Sequence, residues 1–317
     1  MPEFRANDPQ NLMSKEHDGK IGRIGVVGYG EVGKIFAAGL KEQAGIRTIS
    51  AWDLKFGEDS SKNAELAHAR AAGVDAQPSM RALCAASDLV IAAVTASNTL
   101  AVAQETARCI APGCLYLDLN SASPATKQQA GRAIEAAGAT YVEAGVMTSV
   151  PPYGIKVPML LGGAQAQALA EVLQSWGMEA KAVSPELGVA SAIKMCRSVM
   201  IKGLEALVIE SYATARAYGV EEHVLPTLHE TFPSIDWTKQ GAYFFSRVVQ
   251  HGTRRAEEMR EAANTVRDAG FQPWMSAAIA EKQQWVADQA AAGIFQGLAK
   301  DAPWQAYADR LLAARKQ

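Results

Sequence analysis

Three glycines, Gly28, Gly30 and Gly33, stand in the spacing G-x-G-x-x-G within GVVGYGEVG. That spacing suits the holding of a pyrophosphate. Gly28 permits a tight turn, Gly30 lets the backbone approach phosphates, and Gly33 lets a helix pack closely on a strand. The helix that follows adds free N–H groups and the positive end of its dipole. Tyr29, Glu31 and Val32, which sit within the turn, join the glycines as candidate cofactor contacts. Asp53 closes the next apolar run, twenty residues after Gly33, and is placed to accept hydrogen bonds from an adenosine ribose. Its charge repels a 2′-phosphate, which favours NAD over NADP. Lys55 and Lys62 keep NADP as the alternative, although loop lysines are more often simply solvated.

A second candidate for chemistry is Lys194. The stretch GVASAIKMCRSVMIKGLEALVIE, residues 188–210, sets it among apolar neighbours. Lysine rarely sits there without a partner or a task. Desolvation penalises the ammonium form and lowers its pKa, which suits it to trade a proton near neutral pH. Ser198 lies four residues on and shares its face. A snorkelling lysine at the edge of a buried helix is the competing reading.

These residues need a scaffold, and the hydropathy pattern supplies one. From Ile21 to about Ser184 short apolar runs (IGRIGVVG, IRTISAW, DLVIAAV, CLYLDLN, ATYVEAGV, VPMLLGG) alternate with helical segments that include 31–44, 97–110, 123–137 and 164–176. Strands alternating with helices imply a doubly wound, mostly parallel α/β sheet. Ligands of such sheets bind beyond the carboxyl ends of the strands. Three strand ends are small and polar: Thr95-Ala96-Ser97-Asn98, Asn120-Ser121-Ala122-Ser123-Pro124 and Met147-Thr148-Ser149-Val150. Thr95 and Asn120 are read as cofactor contacts, and Ser121, Thr148 and Ser149 as substrate contacts. Ser97 and Ser123 are read as helix caps.

At Ser184-Pro185-Glu186 the pattern changes to a helix start, and Gly219 suits a left-handed helix end. A helix of about 33 residues results, roughly 50 Å long. Being apolar on most sides, it is expected to be buried between domains or in a subunit interface. Beyond it the chain reads as all-helical, with segments 221–230, 236–268 (broken near Gly252), 273–292 and 303–315. The expected organisation is a flexible tail over 1–20, a dinucleotide-binding domain over 21–184, a linking helix over 185–219 and a helical substrate and dimerisation domain over 220–317. Met13 is read as the natural start, with residues 1–12 extraneous. Of the aromatic residues Phe232, Trp237, Tyr243, Phe244, Phe245 and Trp274, most are expected in cores or interfaces, with one or two lining a substrate pocket.

Bulk composition narrows the classes. A chain of 317 residues with net charge -2 and 20% charged residues gives no electrostatic reason to expect nucleic acid or an anionic membrane as partner. No apolar run approaches the length of a membrane helix, and the polar N-terminus lacks the apolar core of a signal peptide. The four cysteines form no CxxC and the five histidines are scattered. That argues against a zinc site and for reduced thiols in a cytoplasmic protein.

The glycine turn, the DLN-SASP segment and Lys194 on a long helix after the sheet together resemble the β-hydroxyacid dehydrogenase superfamily. That group includes 3-hydroxyisobutyrate and 6-phosphogluconate dehydrogenases, with imine reductases as relatives. HGTRRAEEMREAANTVRDAGFQP, residues 251–273, resembles the C-terminal domain of an uncharacterised phosphogluconate-dehydrogenase-like branch. The resemblance implies a Rossmann domain, an all-α C-terminal domain and a homodimer formed through it. It also implies reversible oxidation of a hydroxy acid by NAD(P). Lys194 then becomes the general acid/base, and Ser121 matches the family's substrate-contacting serine. Three positions depart from the family pattern. Met147-Thr148-Ser149 replaces the carboxylate-holding Ser-Gly-Gly, Ser198 replaces an asparagine, and Glu257-Glu258 falls where a Lys-Asp pair is expected. His251, Arg254 and Arg255 are candidates for a replacement positive pocket, with a solvated helix face as the competing reading; the departures together imply a pocket for a bulkier or less acidic alcohol than the classical members take.

The resulting expectation is an NAD-dependent dehydrogenase acting on a CH–OH group of a hydroxy acid or a related bulky or aromatic secondary alcohol. Two alternatives are an imine or ketone reductase and a non-catalytic NAD-responsive binding protein. Many imine reductases lack this lysine and favour NADPH, so Lys194 and Asp53 count against the first. Lys194 and Ser121 together count against the second.

Overall fold

The computed structural model describes residues 21–57 and 62–314; the expectations for residues 1–20 lie outside these. The first part is a sheet covered on both faces. Its elements are β1 (Arg23–Val27), α1 (Glu31–Lys41), β2 (Thr48–Trp52), α2 (Lys62–Ala72), β3 (Asp75–Ala76), α3 (Met80–Ala85) and β4 (Leu89–Ala92). They continue with α4 (Thr99–Ala107), β5 (Leu115–Asp118), α5 (Pro124–Ala136), β6 (Thr140–Val146), β7 (Met159–Gly162), α6 (Ala166–Ser175) and β8 (Ala180–Ser184). The strand order is β3-β2-β1-β4-β5-β6-β7-β8. Every pairing is parallel except β6 with β7.

Side chains alternate across each strand, and both sets are apolar. Ile24, Val26, Leu89 and Ile91 pack on one core with Phe36 and Leu40. Val27, Val90, Ala92 and Tyr116 pack on the other with Leu83 and Ile134. The fold is therefore the expected Rossmann-like α/β sheet. The order reverses between β1 and β4, and that switch point opens a crevice at the strands' carboxyl ends. Two strands escaped the hydropathy reading. β3 is two residues long and β8 lies at the opposite edge with the pattern AKAVS, so neither forms an apolar run.

The helical part comprises α7 (Val189–Tyr218), α8 (Glu221–Thr231), α9 (Trp237–Asp268), α10 (Trp274–Ala291) and α11 (Trp304–Ala314). α7 begins four residues later than Ser184-Pro185-Glu186 suggests and runs 30 residues. Ser184 ends β8, and its hydroxyl accepts the Glu186 N–H at 3.0 Å, closing a turn rather than capping a helix. Gly188, left-handed at φ 104°, then turns the chain into the helix, which ends at the left-handed Gly219 as expected. The helix is not buried on all sides in the single chain: Met200 and Leu207 are exposed, whereas Met195, Ile209 and Tyr212 are buried. α9 kinks at His251 (φ -135°), beside the expected break. A Cβ at Gly252 would lie 2.9 Å from both the Gln283 carbonyl oxygen and the Ala287 Cβ, so α10 crosses too closely for any side chain there. Among the flagged aromatics, Phe245 and Trp237 are buried, while Phe232, Tyr243 and Trp274 are exposed.

Candidate active site

The crevice continues into a cleft of about 840 Å³ between the sheet's carboxyl edge and helices α7 and α9. The glycine turn forms one wall. Gly28 has φ 90°, a conformation that favours glycine, and a Cβ there would approach the Ala93 carbonyl oxygen to 2.5 Å. At Gly33 a Cβ would sit 1.9 Å from the Gly28 carbonyl oxygen, so α1 packs on the turn only without a side chain. Gly30 is the opposite case: it lines the cleft and its Cβ position is open space. It also begins α1 with no side-chain cap. The first N–H groups of α1 thus carry the partial positive charge of a helix end. A dinucleotide's pyrophosphate fits this cradle.

Asp53 stands at the end of β2 and lines the same wall. Its carboxylate accepts the Tyr29 N–H at 2.6 Å and the Lys55 N–H at 2.9 Å. Two backbone donors fix the side chain, and its remaining lone pairs are available for ribose hydroxyls. Glu31, Val32 and Thr95 also line the cleft. Tyr29 does not: its ring is buried and its hydroxyl meets His68 Nδ1 at 3.2 Å, so only its backbone serves the turn.

The next wall is the loop after β5, held by a buried ion pair. Lys127 Nζ lies 2.9 Å from Asp118 Oδ1, with both side chains essentially inaccessible. Tyr141 Oη donates to Asp118 Oδ2 at 2.6 Å, and the Asn120 N–H donates to Oδ1 at 2.9 Å. A buried charge pair is tolerable only when its other valences are satisfied, and this one is. The pair fixes Asn120, whose Oδ1 accepts the Val94 N–H at 2.7 Å. The Asn120 Nδ2 donor is buried without a partner. An orphaned donor on a cleft-lining residue is a fit for a cofactor's polar group.

Lys194 and Ser121 meet across the cleft: the Lys194 Nζ donates to Ser121 Oγ at 2.5 Å. The anchor for Lys194 is in the sheet. Fully buried Glu143 of β6 accepts the Gly188 N–H at 2.8 Å and the Ala190 N–H at 3.0 Å through Oε1. A carboxylate on the first N–H groups of α7 satisfies helix-end donors and complements the dipole. It also ties the Lys194 turn to the strand. Burial pushes the Lys194 ammonium down, Glu258 pulls it up, and Lys127 and Lys202 push it down; it settles at about 7.

Deeper along α7, Lys202 Nζ lies 2.8 Å from Glu258 Oε2 of α9 and donates to Ser198 Oγ at 3.1 Å. Burial pushes the Glu258 carboxyl up, but Lys202 and Lys194 outweigh it and hold it at about 2. Ser198 thus faces the cleft engaged with Lys202. Glu257 instead reaches Ser97 Oγ at 3.4 Å. Arg255 forms a buried ion pair with Glu205, with Nε 2.9 Å from Oε2.

Thr148 and Ser149 line the cleft; His251 is not among its lining residues. It sits at the kink of α9, where burial, followed by the charges of Arg254 and Arg247, lowers its pKa. Ser123 caps α5 by accepting the Thr126 N–H at 3.3 Å. Ser97 caps nothing; it lies in a short 3-10 turn beside Thr95 Oγ1. Sequence reasoning missed Asp118, Lys127, Glu143, Lys202 and the Glu258 pairing. Lys202 alone had a local signal, since eight residues after Lys194 returns to the same helix face. The others depend on pairings between distant elements.

Residues 23–184 match the family described as the NAD binding domain of 6-phosphogluconate dehydrogenase. The chain belongs to the β-hydroxyacid dehydrogenase superfamily. Residues 215–286 match a domain of unknown function, DUF1932. A conserved hypothetical protein from Sinorhizobium meliloti 1021 is 37% identical, covering 94% of this chain and 98% of its own, with a TM-score of 0.73. A conserved protein of unknown function, described as structurally similar to 3-hydroxyacid dehydrogenases, is 29% identical over 87% of this chain and 100% of its own, with a TM-score of 0.65. The 3-hydroxyisobutyrate dehydrogenase of Mycobacterium tuberculosis, solved with L-serine, shares 16% identity over 92% of this chain and 99% of its own. Its TM-score of 0.66 shows a common fold. Family membership makes the protein an oxidoreductase with a nicotinamide-cofactor domain. Among the described residues no helix is long and apolar enough to cross a membrane.

Proposed function

We propose that this protein is an NAD-dependent dehydrogenase acting on the CH–OH group of a hydroxy acid or a related secondary alcohol, with Lys194 as general acid/base. The observation that carries this is the 2.5 Å contact between Lys194 Nζ and Ser121 Oγ at the cleft, with Lys194 titrating at about 7. A lysine poised there is half neutral near physiological pH, the condition for efficient proton transfer. In the oxidative direction neutral Lys194 takes the hydroxyl proton as the C–O bond becomes a carbonyl. In reduction the ammonium returns it. Ser121 orients the same oxygen. The dinucleotide, when bound, supplies the hydride acceptor. Gly28, Gly30 and Asp53 would hold it, and the Asp53 carboxylate favours NAD over NADP. The exposed Met200 and Leu207 on α7 support a homodimer, testable by sedimentation.

The test is a screen of hydroxy acids and aromatic alcohols with NAD and with NADP, read at the reduced-nicotinamide absorbance. On the substrate found, Lys194→Met should lose about 10²–10⁴ in kcat while NAD affinity stays unchanged. A variant retaining wild-type turnover overturns the assignment of Lys194.

A further inference from the structure

The cations around the cleft are not equivalent. Lys202 is neutralised by Glu258, and Arg255 by Glu205. Arg254 lies 3.8 Å from Glu31 and 3.9 Å from Glu258, at the long end of ion pairing. Arg197 and Arg247 also line the cleft. Among the described residues neither makes an ion pair or hydrogen bond. Arg247 sits with its guanidinium carbon 5.9 Å from the ring centre of Tyr243, another cleft residue, which leaves its N–H edges unspent. The Nε donors of Arg247 and Arg254 are both buried without a hydrogen-bond partner. Buried donors without acceptors carry an uncompensated desolvation cost, and guanidinium forks match carboxylate and phosphate geometry.

The two uncompensated arginines come from different helices, Arg197 from α7 and Arg247 from α9. Arg197 follows Lys194 by three residues, a rise of about 4.5 Å along α7. Arg247 and Arg254 lie on either side of the His251 kink in α9, and both line the cleft. The Met147-Thr148-Ser149 loop, on the sheet side, offers no cation.

We infer that Arg197 and Arg247, flanked by Arg254, form an anion subsite of the substrate pocket, taking a phosphate or carboxylate carried apart from the hydroxyl-bearing carbon. The inference rests on the proposed function in placing substrate beside Lys194. It adds that the substrate has a distal anionic group and that α7 and α9, rather than the loop after β6, read it.

The test uses the full chain saturated with NAD, so that the glycine turn is already filled. Inorganic phosphate and malonate are titrated separately by calorimetry against wild type, Arg247→Met and Arg247→Lys. Wild type should bind at least one of the two, and whichever binds more tightly identifies phosphate or carboxylate as the group. Arg247→Met should weaken that binding about tenfold or more, as expected for loss of a charge-assisted fork. Arg247→Lys should recover part of it, with melting temperature and NAD affinity unchanged in both variants. Absence of anion binding to wild type, or equal affinity in Arg247→Met, overturns the subsite. Weakened NAD binding in Arg247→Met also overturns it, by assigning the arginine to the cofactor. These readouts need no turnover, so they stand apart from failure of the Lys194 assignment.

Discussion

Gly30 and Gly33 lie three residues apart in one turn, yet the same substitution should act on different properties. At Gly33 an added Cβ falls 1.9 Å from the Gly28 carbonyl oxygen, more than 1 Å inside any real contact. Backbone must shift, and overpacking of this kind costs about 1–3 kcal/mol or more, beyond the roughly 1 kcal/mol that alanine gains in a helix. At Gly30 the added Cβ meets nothing within 4 Å, and the backbone (φ -81°, ψ -160°) is open to any residue. Gly30→Ala should therefore cost no more than about 1 kcal/mol, the difference between glycine and alanine at an N-cap. It should nevertheless weaken NAD binding by about 2 kcal/mol, roughly thirtyfold, because the methyl occupies the approach to the first N–H groups of α1. Urea unfolding and calorimetric titration with NAD measure the two properties separately. A Gly30→Ala protein that binds NAD as tightly as wild type would refute the placement of the pyrophosphate.

Two further outcomes follow from the buried carboxylates. Glu143→Ala strands two buried N–H groups at the start of α7, at about 1–3 kcal/mol each; urea unfolding should show the loss, Glu143→Gln should recover part of it, and a loss under about 0.5 kcal/mol contradicts the anchor. Glu258 titrates at about 2 against an ordinary 4.5, so its contribution to stability is complete above pH 4.5 and disappears as pH falls towards 2. Melting curves across that window should lose part of their slope in Glu258→Gln, and an identical slope would count against the pairing with Lys202.

The parts of the molecule that were legible in the sequence are those written in local patterns. β1, the glycine turn and α1 follow from residues within two turns of one another, and Asp53 from the end of the next apolar run. Lys194 stood out because a long charged side chain interrupts an apolar helix. The start of α7 was misplaced because Ser184-Pro185 satisfies the chemistry of a cap. The actual cap is Glu143, some 45 residues earlier and on a central strand. His251 was drawn toward the cleft by the charge pattern of α9, which continues through the kink as if the helix were regular. The network of Asp118, Lys127 and Tyr141 left no trace in local spacing, because three different elements contribute to it.

The pH dependence of hydride transfer tests the role of Lys194 most directly. With burial and neighbouring lysines holding it at about 7, kcat/KM for alcohol oxidation should rise with pH through about 7 and then level as Lys194 becomes neutral. The same quantity for carbonyl reduction should fall across the same interval, because there the ammonium is the required form. Oxidation and reduction profiles that are both flat between about pH 5.5 and 9 would contradict Lys194 as the acid/base of this site.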